Sequence, residues 1–302
     1  MRFFTADVFT ERMFGGNQLA VFPEAEGLDT GVMQSIAREL NLSETVFVFP
    51  PSDPAHTRRV RIFTPASELP FAGHPTIGTA FVLASIGEVP LGAEGASIVL
   101  EEGVGPVAVT IRSRQGRPGY CELTAARLPE EGPPPPPLEE IASALSLRPE
   151  DLRANDLPPR GFTCGVPYLF VPLRDEASLA RARINLPAWE RSLSSWWTSS
   201  VFPFAETQRR DGADFRARMF APALGVPEDP ATGSAAAALA GFLATTGGPE
   251  HGTLRWVVDQ GVEMGRPSRL HITCERSGGR ISAVRVGGSS VLVSEGRLSL
   301  PA

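Results

Sequence analysis

The sequence predicts an α+β fold made of two similar domains, each a mixed sheet wrapped on one apolar helix. Three observations predict it. First, VRIFTPASELPFAGHPTIGTAF from Val60 and ARMFAPALGVPEDPATGSAAAAL from Ala217 follow one plan: a strand with Arg-x-Phe-x-Pro, a short loop, then Pro-x-x-Gly-[Thr/Ser]-Ala and an alanine-rich helix. Second, those helices, expected over 75–86 and 231–244, are apolar nearly all round, as a central buried helix should be. Third, 30 glycines and 29 prolines in 302 residues suit short strands joined by tight turns better than a helix bundle.

The elements follow in order. RFFTADVF alternates as a strand does, GGN turns the chain, and LAVF resumes it. DTGVMQSIAREL places Met33, Ile36, Ala37 and Leu40 at helical spacing, with Asp29 or Thr30 as cap. SETVFVFP and RRVRIFTP read as strands, and after the first apolar helix IVLEE and PVAVTIRS read as a further pair. The prolines 133–137 continue neither sheet nor helix, so they mark the clearest break and an extended connector. LEEIASAL is helical; strands return at TCGVPYLFVPL and FRARMFAP. After the second apolar helix come LRWVVDQGVEM, RLHITCER, GRISAVRVGG and SVLVSEGRL, with Gly287-Gly288 offering a hairpin turn between the last two.

Composition narrows the function. Apolar residues make up 42% and charged residues 21%, with a net charge of -6 and no basic stripe, which argues against a nucleic-acid partner. No run approaches the roughly 20 apolar residues of a membrane span. The N-terminus lacks the apolar core of a signal peptide, so the cytoplasm is expected by elimination. Cys121, Cys164 and Cys274 form no CxxC spacing, and His56, His251 and His271 have no acid or cysteine at metal spacing, so no metal is expected. Dinucleotide, Walker, HExxH and Gly-x-Ser-x-Gly motifs are absent.

What remains is polar chemistry at the repeat. With Pro75 set against Pro230, Gly78 against Gly233 and Thr79 against Ser234, His74 falls opposite Asp229, each just before a proline at a helix start. Unpaired backbone N–H groups at 72–74 and 232–234 attract anions, and Gly73 and Gly233 let a ligand come close to the backbone. Glu44, in NLSETVFVF, stands at the lip of an apolar strand where enclosure would raise its pKa toward a value useful for proton exchange. Each residue keeps a plainer reading: His74 as turn filler, Asp229 as an N-cap, Glu44 as a solvated strand end. Glu68 is a rival carboxylate.

DVFTERMFGGNQLAVF, NLSETVFV, RIFTPASELPFAGHPTIGTAF, RMFAPALGVPEDPATGSAAAALAGFL and QGVEMGRPS together resemble the PhzF family of phenazine-biosynthesis-like isomerases, related in fold to diaminopimelate epimerase. The resemblance implies two pseudo-symmetric domains, each a strongly bent mixed sheet around a central helix, with the active site in the cleft. It places a first domain at 1–118 plus 285–302 and a second at 119–284. It implies Glu44, His74 and Asp229 as catalytic residues, with Gly73, Gly233, Ser234 and Asn17 binding substrate, no cofactor and a homodimer. Gly16-Asn17-Gln18 departs from the family's Gly-Asn-Pro, which bears on substrate choice, and the three cysteines lie outside the repeat, so a two-thiol mechanism is not expected. The implied activity is cofactor-independent proton movement on a small cyclic or unsaturated carboxylate, of the trans-2,3-dihydro-3-hydroxyanthranilate isomerase type. A racemase or epimerase of small carboxylates and a non-catalytic metabolite-binding protein are the alternatives.

Overall fold

The computed structural model describes residues 1–153, 155–207 and 212–300. The chain divides into two units, one of Met1–Ala126 with the stretch from Arg285 onward, the other of Arg127–Val284.

In the first unit β1 (Arg2–Val8) pairs antiparallel with β2 (Asn17–Phe22), and β2 lies parallel to β3 (Glu44–Phe49). Between them α1 (Thr30–Leu40) starts where the Asp29 carboxylate accepts the Val32 N–H at 2.8 Å. It buries Met33, Ile36 and Ala37 with Phe22, Phe47 and Phe63. β3 pairs antiparallel with β4 (Arg58–Phe63), which turns into the short β5 (Glu68–Leu69). After α2 (Gly73–Ser85), β6 (Gly95–Glu102) returns parallel to β4 and meanders into β7 (Gly105–Arg114) and β8 (Arg117–Thr124). Helix α2 touches β1, β2 and β3 and also β7 and β8, so the sheet bends round it. Every residue from Gly73 to Ala84 is buried, which is why this helix has no polar face.

The second unit repeats that sequence of pairings. β9 (Glu130–Glu131) leads to α3 (Leu138–Ala144), then β10 (Arg160–Thr163) pairs antiparallel with β11 (Pro167–Pro172). Helices α4 (Glu176–Arg181) and α5 (Leu186–Ser192) precede β12 (Val201–Glu206), which is parallel to β11 and antiparallel to β13 (Phe215–Ala217). β14 (Met219–Ala221) and β15 (Val226–Asp229) make a hairpin before α6 (Gly233–Ala244), whose residues are all buried. β16 (Gly252–Gln260) then runs parallel to β13 and antiparallel to β17 (Ser268–Ser277). In both units the order is antiparallel, parallel, antiparallel, parallel, antiparallel, with a central helix before the fourth pairing closes. From Arg285, β18 (Arg280–Gly288) joins β8, and β19 (Ser290–Arg297) joins β1.

Several sequence expectations need correction. A boundary near residue 118 would cut β8, whose Tyr120–Thr124 segment is laddered to β7 and β18, so the first unit runs on to Ala126. The five prolines do not divide the units; they lie inside the second, between β9 and α3, where Pro137 is the N-cap. The two last strands run along β8 and β1, because the glycine pair sits opposite Glu122 and Cys121 within a ladder. TCGVPYLFVPL turns at Gly165, φ 113°, and becomes β10 and β11.

The repeat itself is shifted from the alignment read in the sequence. Ile62 faces Leu69 across the first hairpin and Met219 faces Asp229 across the second, so with Arg61 matched to Arg218, Leu69 matches Asp229. Glu68 and Glu228 then correspond, and each grips its arginine with both oxygens, at 2.7 and 2.6 Å in the first unit and 2.7 Å twice in the second. The helices begin at Gly73 and Gly233, so His74 corresponds to Ser234 and not to Asp229. Pro75 lies inside α2, whereas Pro230 lies ahead of α6; the prolines are not equivalent. The misalignment arose because Arg61 to Glu68 spans 7 positions and Arg218 to Glu228 spans 10, the extra three being taken up in the turn.

Candidate active site

In the first unit three element starts converge at one end of the sheet. Asn17 opens β2, Glu44 opens the parallel neighbour β3, and His74 is the second residue of α2. The Asn17 Nδ2 lies 3.0 Å from His74 Nδ1, and His74 Nε2 lies 3.2 Å from Glu44 Oε2. With the Asn17 amide donating to Nδ1, the ring's one hydrogen sits on Nε2, and the approach of Nε2 to Glu44 is a close contact not aligned as a hydrogen bond. His74 is 3% exposed, and burial lowers its pKa to about 3, a hydrogen bond with the Gln18 backbone working the other way. The contact with Glu44 is therefore that of a neutral imidazole with a carboxyl group and not an ion pair at neutral pH. Glu44 keeps 13% of its side chain exposed, so it is sheltered and still reachable.

Glu68, the rival carboxylate, is committed to Arg61. Gly73 is buried at the first position of α2, where the opening N–H groups of a helix have no intrahelical partner.

The second unit assembles its own cluster. Asp229 ends β15, Thr232 is the N-cap of α6, and Gly233 and Ser234 open that helix. The Thr232 hydroxyl donates to Asp229 Oδ2 at 2.5 Å. Gln260, at the end of β16, accepts the Thr232 N–H at 3.1 Å and donates to the Asp229 carbonyl at 2.7 Å. Ser234 Oγ lies 2.7 Å from the Tyr168 hydroxyl of β11, both groups buried. Asp229 is thus an ordered carboxylate beside a helix start but not its N-cap, which is Thr232.

Sequence reasoning named Thr232 only for its backbone N–H, and it missed Tyr168 and Gln260. Gln260 had a signal, since it opens the QGVEMGRPS run; Tyr168 had none, because only the curl of the sheet brings β11 to α6. Burial pushes the Cys121 and Cys164 thiols up to about 12, and raises Cys274 as well, which keeps them in the thiol form at neutral pH. Among the described residues no helix is long and apolar enough to cross a membrane.

The PhzC-PhzF family model, described as phenazine biosynthesis-like protein, matches residues 6–296. An uncharacterized isomerase of Mesorhizobium japonicum is 41% identical over 296 residues, 97% of this chain and 96% of the relative. The trans-2,3-dihydro-3-hydroxyanthranilate isomerase of Pseudomonas aeruginosa is 36% identical, with 99% of each chain covered. Among solved structures, a PhzF-family phenazine biosynthesis protein of Bacillus anthracis superposes with a TM-score of 0.88 at 24% identity, covering 99% of both chains.

Proposed function

Since the chain belongs to the PhzC-PhzF, phenazine biosynthesis-like family and is an isomerase, we propose that it moves a proton within a small cyclic or unsaturated carboxylate, without a cofactor, as a trans-2,3-dihydro-3-hydroxyanthranilate isomerase does. The observation that carries this reading is the sheltered Glu44 carboxyl held 3.2 Å from a neutral imidazole.

Glu44 is the proton shuttle. Its carboxylate takes a proton from a carbon α to the substrate carboxylate; the electron pair delocalises over the π-system; the carboxylic acid so formed returns the proton to a second carbon. One carboxyl group serves as base and then acid, so atoms and charge balance with no other reactant. His74, 3.2 Å from one Glu44 oxygen, steadies charge during the transfer, and Asn17 fixes the imidazole that does so. Asp229 binds a polar substituent of the substrate. Ser234, turned by Tyr168, and the opening amides of α2 and α6 at Gly73 and Gly233 grip its oxygens. The active form is a homodimer, which light scattering on the eluting protein checks directly.

The deciding experiment follows trans-2,3-dihydro-3-hydroxyanthranilate, then other cyclic and unsaturated carboxylates, in heavy water by NMR. Deuterium at a new carbon with a shifted double bond is the expected result. Label at an inverted centre of an otherwise unchanged substrate would make the protein an epimerase, and tight binding with no exchange at any C–H would overturn the reading.

A further inference from the structure

The two units repeat one more contact, and it is not among the residues that the reaction above uses. Arg59 of β4 faces Glu101 of β6 just as Arg216 of β13 faces Asp259 of β16. One residue further along come Glu102 and Gln260, each followed by a glycine. Both glycines have the same cause. A Cβ on Gly103 would stand 2.9 Å from the Pro70 Cα, and one on Gly261 would stand 3.0 Å from the Pro230 Cα. Pro70 and Pro230 are the equivalent prolines ahead of the two central helices. Glu102 and Gln260 are therefore structural counterparts, and each reaches the start of its helix: Gln260 bonds to Thr232 and Asp229, and Glu102 lies on Thr76 of α2.

The second unit makes this contact with a neutral amide. In the first, hydrogen counting points to a neutral group too. The Thr76 hydroxyl lies 2.6 Å from Glu102 Oε1 and 2.8 Å from the Ala72 carbonyl oxygen. A hydroxyl has one hydrogen, so with it on the Ala72 carbonyl the other contact closes only if the carboxyl supplies a proton. Glu102 is 8% exposed and, among the described residues, its Oε2 has no hydrogen-bond partner. A bare carbonyl oxygen there costs far less than a bare anionic one. Burial pushes the Glu102 carboxyl up to about 8, the Thr76 contact pulling the other way. The charged groups of the adjoining groove are Arg59, Arg61, Glu68 and Glu101. Arg61 is held by Glu68, and Glu101 by the Ser52 and Asp53 amides and His56, while His74 on α2 is neutral.

We propose that Glu102 is a positioning residue that works as a neutral carboxylic acid, holding the first turn of α2, and with it His74, as Gln260 holds the first turn of α6. The catalytic part of this inference rests on the reading of His74 given above; the protonation and the hold on the helix do not.

Two variants and two kinds of readout test it. Infrared difference spectra of wild type against Glu102→Gln at pH 6 should show the carbonyl stretch of a protonated carboxylic acid, fading with a midpoint near pH 8. Turnover of trans-2,3-dihydro-3-hydroxyanthranilate by the wild type should fall above that pH, whereas Glu102→Gln, which cannot ionise, should keep its activity. Glu102→Ala should lower kcat roughly tenfold with little change in KM, by misplacing His74, and should speed amide exchange in residues 73–76. Absence of the protonated-acid band at pH 6, or an alkaline loss of turnover shared by Glu102→Gln, overturns the proposal. If the wild type does not turn over this probe, the substrate assignment fails, while the infrared band and the amide exchange still decide the role of Glu102.

Discussion

At the start of α2 the frame Glu68-Leu69-Pro70-Phe71-Ala72-Gly73 delivers His74; at the start of α6 the frame Glu228-Asp229-Pro230-Ala231-Thr232-Gly233 delivers Ser234. The frame residues are matched by hairpin register and by the paired arginines, Arg61 and Arg218. What differs is the chemistry hung on them. The first unit puts an imidazole where the second puts a hydroxyl, and an apolar Leu69 where the second puts the Asp229 carboxylate. A duplicated backbone fixes where a helix begins and which amides it offers. Single side chains can then diverge on it at little cost to the fold. Even the shared ion pair has diverged in setting: the Arg218 side chain is 2% exposed against 24% for Arg61.

The largest expected effect breaks the chemical side of this comparison. Glu44→Gln keeps the shape of the side chain but cannot carry a proton, so it should lower exchange into trans-2,3-dihydro-3-hydroxyanthranilate about 10²–10⁴-fold with an unchanged fold. Near-normal exchange measured by NMR in heavy water would remove Glu44 from the mechanism.

Next come the paired arginines. Arg218→Met should cost about 3–5 kcal/mol of stability, since it strands the sheltered Glu228 and the Leu179 and Ala182 carbonyls that the guanidinium serves. Arg61→Met removes the same pair in a wetter place and should cost about 1 kcal/mol or less. Equal urea midpoints for the two variants would contradict the burial argument.

The paired glycines should differ in the same direction. Gly261 has φ +72° and a Cβ there would meet the Arg266 and Pro230 carbonyl oxygens at 2.5 and 2.6 Å, so Gly261→Ala combines strain and overlap and should cost about 2–4 kcal/mol. Gly103→Ala meets Pro70 without the left-handed backbone and should cost about 1–2 kcal/mol. Thermal or urea unfolding of the two variants ranks them.

The last comparison is a slope. The Glu102 carboxyl is raised from 4.5 to about 8 in the folded chain. Between those values the unfolded chain has released this proton and the native chain still holds it. The stabilisation is full below pH 4.5, declines as pH rises, and is gone above about 8. Glu102→Gln should therefore flatten the wild-type decline in urea midpoint over that window, and parallel curves would show that Glu102 is already ionised.

Much of this was legible in the sequence. Alternation marked β1 and β4, because a strand with one wet face must alternate, and an apolar run marked β3, which is buried from Thr45 to Phe49. The lack of any polar face marked α2 and α6 as central. SET, AGHP and EDPATG marked Glu44, His74 and Asp229, since charged or titratable residues beside Gly and Pro at helix and strand starts have little packing reason to be there. The equivalence of the repeats was not legible. Proline matched to proline is a local resemblance, and it slid His74 onto Asp229, whereas cross-strand register sets His74 against Ser234.

By itself the sequence determined the alternating strands, the two apolar helices, the duplicated strand-hairpin-helix plan and the short list of polar residues, because each is written in local periodicity and residue type. Only the tertiary structure decided that Asn17 orients His74 toward Glu44, that Tyr168 meets Ser234, and that Glu102 and Gln260 answer to one another. Those contacts join residues dozens of positions apart. They depend on how far a sheet curls and on how many residues a turn absorbs, quantities set by the packing of the whole unit and not by any stretch of chain within it.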